Sequence, residues 1–392
     1  MERISITGLA IAMALFAAPL FLDLALCIAG NLFRARRPRA APAGMIRMAV
    51  VVPAHEEELM IARTVLSLKA AGAGAEIFVV AHNCTDGTAK AAAAAGAQVL
   101  ELNDRKQRGK SAALRHGFAA ALAAGANAVL VVDADSVVSE NLIAATRAML
   151  EQGAEATQCR YELEGPASGV RHPLARLRAL AFRGMNVLRA RGRAGLGFST
   201  GLFGNGFALT AATLARIPFD VNSIAEDVEY HTRLVAAGLP VYWVDDATVH
   251  AHIPASGKAQ ATQEARWEGG RLHVANRATG RLVRALLQGR WRATETLADV
   301  WSLPLSRGIL ALVLTIFLAV HWLHVFALVC AVVTALYVLQ TALLGSKPWR
   351  DLAALAAAPL YIVWKALITP LVLRQSRSRA EWARTKREAH QP

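Results

Sequence analysis

Three short clusters carry residue types suited to group transfer, and they occur in one order: Asp133-Ala134-Asp135, Glu226-Asp227 and Gln263-Glu264-Ala265-Arg266-Trp267. Asp133 and Asp135 follow an apolar run, so in an extended segment both carboxylates can point to one side of a strand end. Two such carboxylates, with phosphate oxygens and water, make a hard-oxygen site for Mg2+ or Mn2+. Taken alone, a pair of turn-forming Asp residues explains them equally well. Asp227 stands near the start of a short helical stretch, where an acidic residue is ordinarily a partner of the helix dipole. A carboxylate there can also act as a general base toward a hydroxyl. Gln263 falls at helical spacing from both Arg266 and Trp267. The Arg fork suits a diphosphate and the Trp offers a flat apolar face; the alternative is an Arg-Trp pair anchoring a helix at lipid headgroups.

The elements that must position these residues follow from the alternation after Met48. Apolar runs predict strands over 48–52, 76–81, 98–102 and 128–132, and Ala-rich amphipathic stretches predict helices over 57–71, 85–95 and 111–124. This is the pattern of a parallel-sheet α/β domain, whose ligands sit beyond the carboxyl ends of the strands. Pro53-Ala54-His55-Glu56, His82 to Asp86 and Asp133 to Ser136 fall at those ends. Lys110, in the loop before a helix, can meet phosphate there. Beyond Glu151 the pattern is less regular. Residues 174–191 alternate apolar and Arg positions, predicting a solvated amphipathic helix lying on a membrane surface. Gly201 to Gly206 must be a loop or a close backbone approach. His55, His82, His231, His250 and His252 lack the spacing of a zinc site.

Of 392 residues 55% are apolar, more than a soluble domain of ordinary charge carries. The excess is localised. Residues 4–30 are apolar except for Asp23, long enough for the roughly 20 residues a bilayer requires, and they end in Arg34 to Arg39. The stretch 308–345 reads as a helical hairpin with His321 and His324 at the far interface. The stretch 352–373 contains Pro359, Lys365 and Pro370 and suits a re-entrant or interfacial helix as well as a span. The expected organisation is an anchor over 1–33, a cytoplasmic domain over 40–280 and an interfacial segment over 281–306. A transmembrane hairpin over 307–345, a re-entrant or spanning segment over 346–373 and a basic tail over 374–392 complete it. The positive-inside bias places the central domain and the tail in the cytoplasm of a multi-pass inner-membrane protein of bacterial type. The net charge of +14 raises the question of nucleic acid, but the excess lies at 34–39, 271–292 and 374–387, beside apolar segments where anionic headgroups are the natural counter-charge. The four cysteines suggest neither zinc nor a disulfide framework.

As an ordered set these motifs resemble the inverting family 2 glycosyltransferases of GT-A fold, over about residues 48–271 and the flanking apolar segments. The resemblance rests on Val-Pro-Ala-His-Glu-Glu at Val52 to Glu57, the Asp-containing turn Asn83 to Gly87, Lys110, Asp133 and Asp135. It continues through Gly204-Asn205-Gly206, Glu226-Asp227 and Gln263-x-x-Arg266-Trp267. The last motif is characteristic of cellulose-, chitin- and hyaluronan-synthase-like and ceramide-glucosyltransferase-like enzymes. The resemblance implies a doubly wound, nucleotide-sugar-binding sheet. It puts Asp86, Lys110 and Asp133 on the nucleotide, a Mg2+ or Mn2+ ion on Asp135 with Asp133, and makes Asp227 the base. Arg266 and Trp267 would close over diphosphate and acceptor, with Pro53, His55, Glu57, His82, Gly204, Asn205, Gly206, Glu226 and Gln263 around the substrates. His82 stands where members commonly have an Asp associated with uracil, and Glu56 where Asn is common. The implied reaction is single-displacement transfer from a nucleotide sugar, in the first instance a UDP-sugar, to a membrane lipid or short glycan. A processive β-polysaccharide synthase, with an export partner or a second copy completing a channel, is the alternative, and a catalytically silent scaffold or a transporter has less support.

Overall fold

In a computed structural model of the chain the described residues are 2–38, 44–72, 74–104, 106, 109–164, 173–252, 257–302, 304–318 and 320–375. Runs of β-branched residues between turns form β1 (Met48–Ala54), β2 (Glu76–His82), β3 (Gln98–Leu102) and β4 (Ala128–Val131), paired in parallel in the order β3-β2-β1-β4. The two-residue period of a strand separates two cores. Val50, Val52, Val79 and Leu130 pack with Ile61, Val65 and Leu68 of one helix, whereas Val51, Val80, Val129 and Val131 pack with Leu114 and Phe118 of another.

The parallel pattern stops at β4. β5 (Ser136–Val138), β6 (Ala156–Glu164), β7 (Phe207–Thr210) and β8 (Tyr242–His252) extend the sheet to the order β3-β2-β1-β4-β7-β6-β8-β5. β7 is antiparallel to β4 and to β6, β8 is parallel to β6, and β5 is antiparallel to β8. The expected doubly wound parallel sheet is therefore corrected to a mixed one. It must also curl. β4 ends at Val131 and β5 begins at Ser136, yet a flat sheet would separate them by four strand spacings, roughly 19 Å. The connecting Cα steps reach roughly 18 Å when fully extended, and Ser136 N donates to the Asp133 carbonyl at 3.2 Å, which folds them into a turn. Only a curled sheet brings its far edge back to β4, and the turn that closes it is Asp133-Ala134-Asp135.

The helix after β1, Ile61–Ala70, starts later than its pattern predicts, at Ile61 rather than 57. Glu56 takes a left-handed φ of 58° and Glu57 N donates to Thr88 Oγ1 at 2.8 Å, so this stretch is tied to the next loop before it can coil.

Among the described residues two helices are long and apolar enough to cross a membrane, Thr7–Gly30 and His321–Leu343. Ala293–Trp301 and Leu305–Thr315 reach such a length only as a pair bent by 69°. The stretch after Pro348 is broken into helices Pro348–Ala353, Ala358–Leu367 and Thr369–Gln375, with a 3-10 turn at Ala354–Ala357. The basic tail from 376 onward lies outside the described residues.

The stretch 174–191 is not a solvated surface helix. It forms helix Pro173–Arg183, a π-helical turn Gly184–Leu188 and helix Arg189–Leu196, and its Arg178, Arg189 and Arg193 are buried. Asp23, the one charged residue of the apolar stretch Thr7–Gly30, explains part of this. It lies 2.6 Å from Arg189 and 3.2 Å from Arg193. Asp299 lies 3.0 Å from Arg189, 2.9 Å from Arg193 and 2.5 Å from Arg271, and Glu295 is 2.6 Å from Arg193. Periodicity registers the arginines but not carboxylates supplied from more than a hundred residues away. Glycine permits the approach: a Cβ on Gly192 would stand 2.3 Å from the Cys27 carbonyl oxygen, and one on Gly195 2.1 Å from that of Gly30. The basic run 271–292 is likewise partly internal, because Arg290 bonds the Ala236 carbonyl and Arg292 Nε donates to the Gly197 carbonyl at 2.8 Å.

Candidate active site

Lys110 is the first residue of helix Lys110–Ala123. Its Nζ contacts Asp133 Oδ1, donates to the Gly204 carbonyl at 2.7 Å and stands 3.9 Å from Glu226 Oε1. One ammonium thus joins the end of β4, the glycine loop and the first turn of helix Glu226–Ala236. Asn205, fully buried, holds the turn from the other side. Its Oδ1 accepts from Asp133 N at 3.0 Å and its Nδ2 donates to Ser136 Oγ at 2.9 Å. Thr64 Oγ1 donates to the Ala134 carbonyl at 2.8 Å. The two aspartates are therefore brought together by a turn pinned at three points, not by the extended segment that the spacing suggested. Asp135 accepts from Ser136 Oγ at 3.4 Å.

The glycine loop is itself supported. Gln158 Nε2 donates to the Asn205 carbonyl at 2.7 Å, and its Oε1 accepts from Phe203 N at 3.0 Å. Gly204 has φ +75°, and a Cβ there would lie 3.2 Å from Asp227 Oδ2 and 3.5 Å from Lys110 Nζ. A bare backbone at this point is what lets the Asp227 carboxylate approach Lys110.

Glu226 and Asp227 open their helix together with Glu229. Burial pushes the Glu226 carboxyl up to about 7, with repulsion from Asp227 adding to it and Lys110 opposing, and burial pushes Asp227 up to about 6. Burial alone would lower the Lys110 ammonium, but Asp133 and Glu226 outweigh it and hold that pKa raised. A reaction using either carboxylate as base is expected to lose kcat/KM on the acid side with a midpoint between about pH 6 and 7. A pH–rate profile checks this, and a limb centred near the ordinary carboxylate value of about 4 would show that burial does not control the base.

The third cluster lies on helix Gly257–Leu287, which runs through the expected 280/281 boundary. Gly270 seats this helix beside the Glu226-Asp227 pair: its Cβ would be 3.1 Å from Ala225 Cβ, one residue before Glu226. Burial lowers the Arg266 pKa and the nearby Glu226 opposes that shift. Trp267 is half-exposed, with its ring 6.1 Å from Phe182, which meets Tyr161 edge-on at 4.9 Å. The Tyr161 hydroxyl is raised by burial and then by the charges of Asp133 and Asp135, and it bonds Asn205. Gln263, one turn earlier, is partly buried.

The remaining expected residues form a second group at the tips of β1 and β2. Pro53 pairs with Val80 in the sheet, and His55 Nδ1 donates to the His82 carbonyl at 2.8 Å. The His82 side chain is buried. Asp86 accepts from Thr88 N at 3.0 Å, Thr88 Oγ1 at 2.5 Å and Glu58 N at 3.2 Å, so its carboxylate braces the loop. Glu56 accepts from Thr85 N at 2.5 Å, and hydrogen bonds from Thr85 hold its pKa below the usual value. His231 is internal, with Nε2 2.8 Å from Ser199 Oγ, and burial lowers it to about 4. His250 lies in β8, opposite Val137.

Sequence reasoning missed Gln158, Tyr161 and Phe182. Gln158 is fully buried in the strand start Ala156-Thr157-Gln158-Cys159, and a Gln in such a short stretch of small and apolar residues is the one trace of it in the sequence.

Residues 46–270, more than half of the chain, match the profile of the glycosyltransferase-like family 2. No curated protein sequence matches the chain. Among solved structures, the mannosyltransferase PcManGT from Pyrobaculum calidifontis, in complex with GDP-Man and Mn2+, is 18% identical. The match covers 95% of this chain and 97% of that one, with a TM-score of 0.56. Glucosyl-3-phosphoglycerate synthase from Mycobacterium tuberculosis, in complex with Mn2+, UDP-glucose and phosphoglyceric acid, is 22% identical. That match covers 61% of this chain and 85% of the other, with a TM-score of 0.43. The first likeness shows the fold, a GT-A-type domain with a curled mixed sheet.

Proposed function

The chain belongs to the glycosyltransferase-like family 2, and from that premise we propose that it is an integral-membrane, inverting enzyme. It transfers a sugar from a nucleotide diphosphate sugar to a hydroxyl of a membrane lipid or short glycan. The observation that carries this reading is the cluster in which Lys110 joins Asp133, the Gly204 carbonyl and Glu226, with Asp227 Oδ2 beside Gly204.

In this reading Asp227 takes the proton of the acceptor hydroxyl as its oxygen forms the bond to the anomeric carbon. The bond from that carbon to the diphosphate breaks in the same step, so configuration inverts. Negative charge developing on the departing diphosphate falls between Lys110 and Arg266, both pre-placed and poorly hydrated. Asp133 and Asp135 fit a Mg2+ or Mn2+ ion. Among the described residues no three His, Cys, Asp or Glu side chains gather as a complete protein cage, and such ions commonly take one or two carboxylates with the remaining ligands from substrate phosphates and water. When bound, the ion supplies further charge neutralisation on the diphosphate. Tyr161, Phe182 and Trp267 form an apolar wall against which a sugar ring can stack. The group at the tips of β1 and β2 is assigned to the nucleoside, with His82 leaving UDP and GDP donors both eligible; the Pyrobaculum calidifontis mannosyltransferase was solved with GDP-Man. Membrane-length helices Thr7–Gly30 and His321–Leu343 support a lipid-borne acceptor.

Purified chain incubated with a panel of radiolabelled UDP- and GDP-sugars and extracted lipid is expected to label lipid and release nucleotide diphosphate. EDTA should abolish transfer and added Mn2+ or Mg2+ restore it. Long polymer formed without added lipid would overturn the single-transfer reading, and transfer undiminished by EDTA would overturn the assignment of Asp133 and Asp135.

A further inference from the structure

Helix Gly257–Leu287 is held from two sides. Gln263, Arg266 and Gly270 recur at three- and four-residue spacing and share the face that meets Ala225, whereas Glu264 and Glu268 form the adjacent stripe. That stripe is bound entirely by cations from other elements. Arg178 Nε lies 3.1 Å from Glu264, Arg307 lies 2.7 Å from Glu268, and Lys365 Nζ contacts Glu264 and lies 2.6 Å from Glu268. Lys365 belongs to helix Ala358–Leu367 in the carboxyl-terminal apolar segment and is 8% exposed. An ammonium so placed is costly unless paired, and both of its carboxylates sit on one helix, on either side of Arg266 and Trp267.

We infer that Lys365 is a positioning residue for transfer: it sets the height and rotation of the Gly257–Leu287 helix, and through it the reach of Arg266 toward the diphosphate. This rests on the assignment of Arg266 given above. Without the ammonium, Glu264 and Glu268 become like charges four residues apart and repel. Arg178, on helix Pro173–Arg183, and Arg307, on helix Leu305–Thr315, then hold the stripe without the central tie. A displacement of Arg266 by about 1 Å is enough for a loss on the order of 10²-fold. The carboxyl-terminal apolar segment is by this account part of the frame of the active site and not only an attachment to the bilayer.

The test uses the full chain in lipid nanodiscs. Lys365→Met is expected to lower kcat by about 10²-fold while changing the donor KM far less, and Lys365→Arg to recover most of kcat. Hydrogen exchange over residues 260–272 is expected to rise in Lys365→Met and not in Lys365→Arg. If Lys365→Met does not fold, Glu264→Gln/Lys365→Met removes one charge of each sign and decides by the same readings. Wild-type kcat, KM and exchange in Lys365→Met, or in Glu264→Gln/Lys365→Met where the single variant does not fold, would overturn the inference. A wild-type chain that turns over no donor would overturn the proposed function instead, with the exchange measurement still deciding the role of Lys365.

Discussion

Asp227→Asn is expected to reduce kcat by about 10²- to 10⁴-fold, the usual contribution of a positioned general base, with donor KM little altered. The substitution keeps shape and keeps an acceptor oxygen for Val228 N, which donates to Asp227 Oδ1 at 2.8 Å. What it removes is the capacity to take a proton. The stability response should run the other way. Burial raises the carboxyls of Asp227 and Glu226 to about 6 and 7, so each favours the fold while protonated. That contribution is complete below the unfolded value near 4 and is lost as pH rises through about 6 to 7. At pH 8 the native protein carries a buried, repelling pair that Asn relieves, so Asp227→Asn should melt no lower than wild type and higher if repulsion dominates. Activity assays with thermal melts on the same preparation check both halves. Near-wild-type turnover would move the base to another residue, with Glu226 the next candidate.

Asp23→Leu is the second large effect, and hydropathy alone predicts its opposite. Leucine would complete the apolar run of Thr7–Gly30, which on composition should favour the span. The ion pairs decide otherwise. Arg189 and Arg193 are each 4% exposed, and removing Asp23 leaves Asp299 and Glu295 to balance them and Arg271. Removing one partner of such a buried set costs about 3–5 kcal/mol, so the detergent-solubilised variant should melt well below wild type. Asp23→Leu/Arg189→Met, which removes one buried charge of each sign and leaves Asp299 and Glu295 to balance Arg193 and Arg271, should recover part of the loss, since the penalty arises from the stranded guanidinium. A melting temperature equal to or above wild type for Asp23→Leu would sink this account of the network.

The strand–helix alternation from Met48 to Val131 was legible because a strand's two-residue period and a helix's apolar stripe are local properties of the chain. The mixed order of β7, β6, β8 and β5 was not, because register between strands distant in sequence leaves no periodic trace. The arginines of 174–191 show the same limit. Spacing gives a helix face, but whether that face meets water or Asp23, Asp299 and Glu264 depends on elements folded against it.

Residue types and their order were sufficient to identify the family: paired Asp at a strand end, an Asp at a helix start and an Arg-Trp pair on a helix pointed to the glycosyltransferase-like family 2 whose profile the chain matches. Side-chain chemistry is carried by each residue wherever it sits. Distance is not, and only the tertiary structure decided that Lys110 would join Asp133 to Glu226, and that Asn205 would pin the Asp133 turn. It likewise decided that Asp23 and Lys365, read along the chain as flaws in apolar segments, would have partners. Apolar segments exclude water, so a charge within them must find its opposite somewhere in the fold, and which opposite it finds is a property of packing.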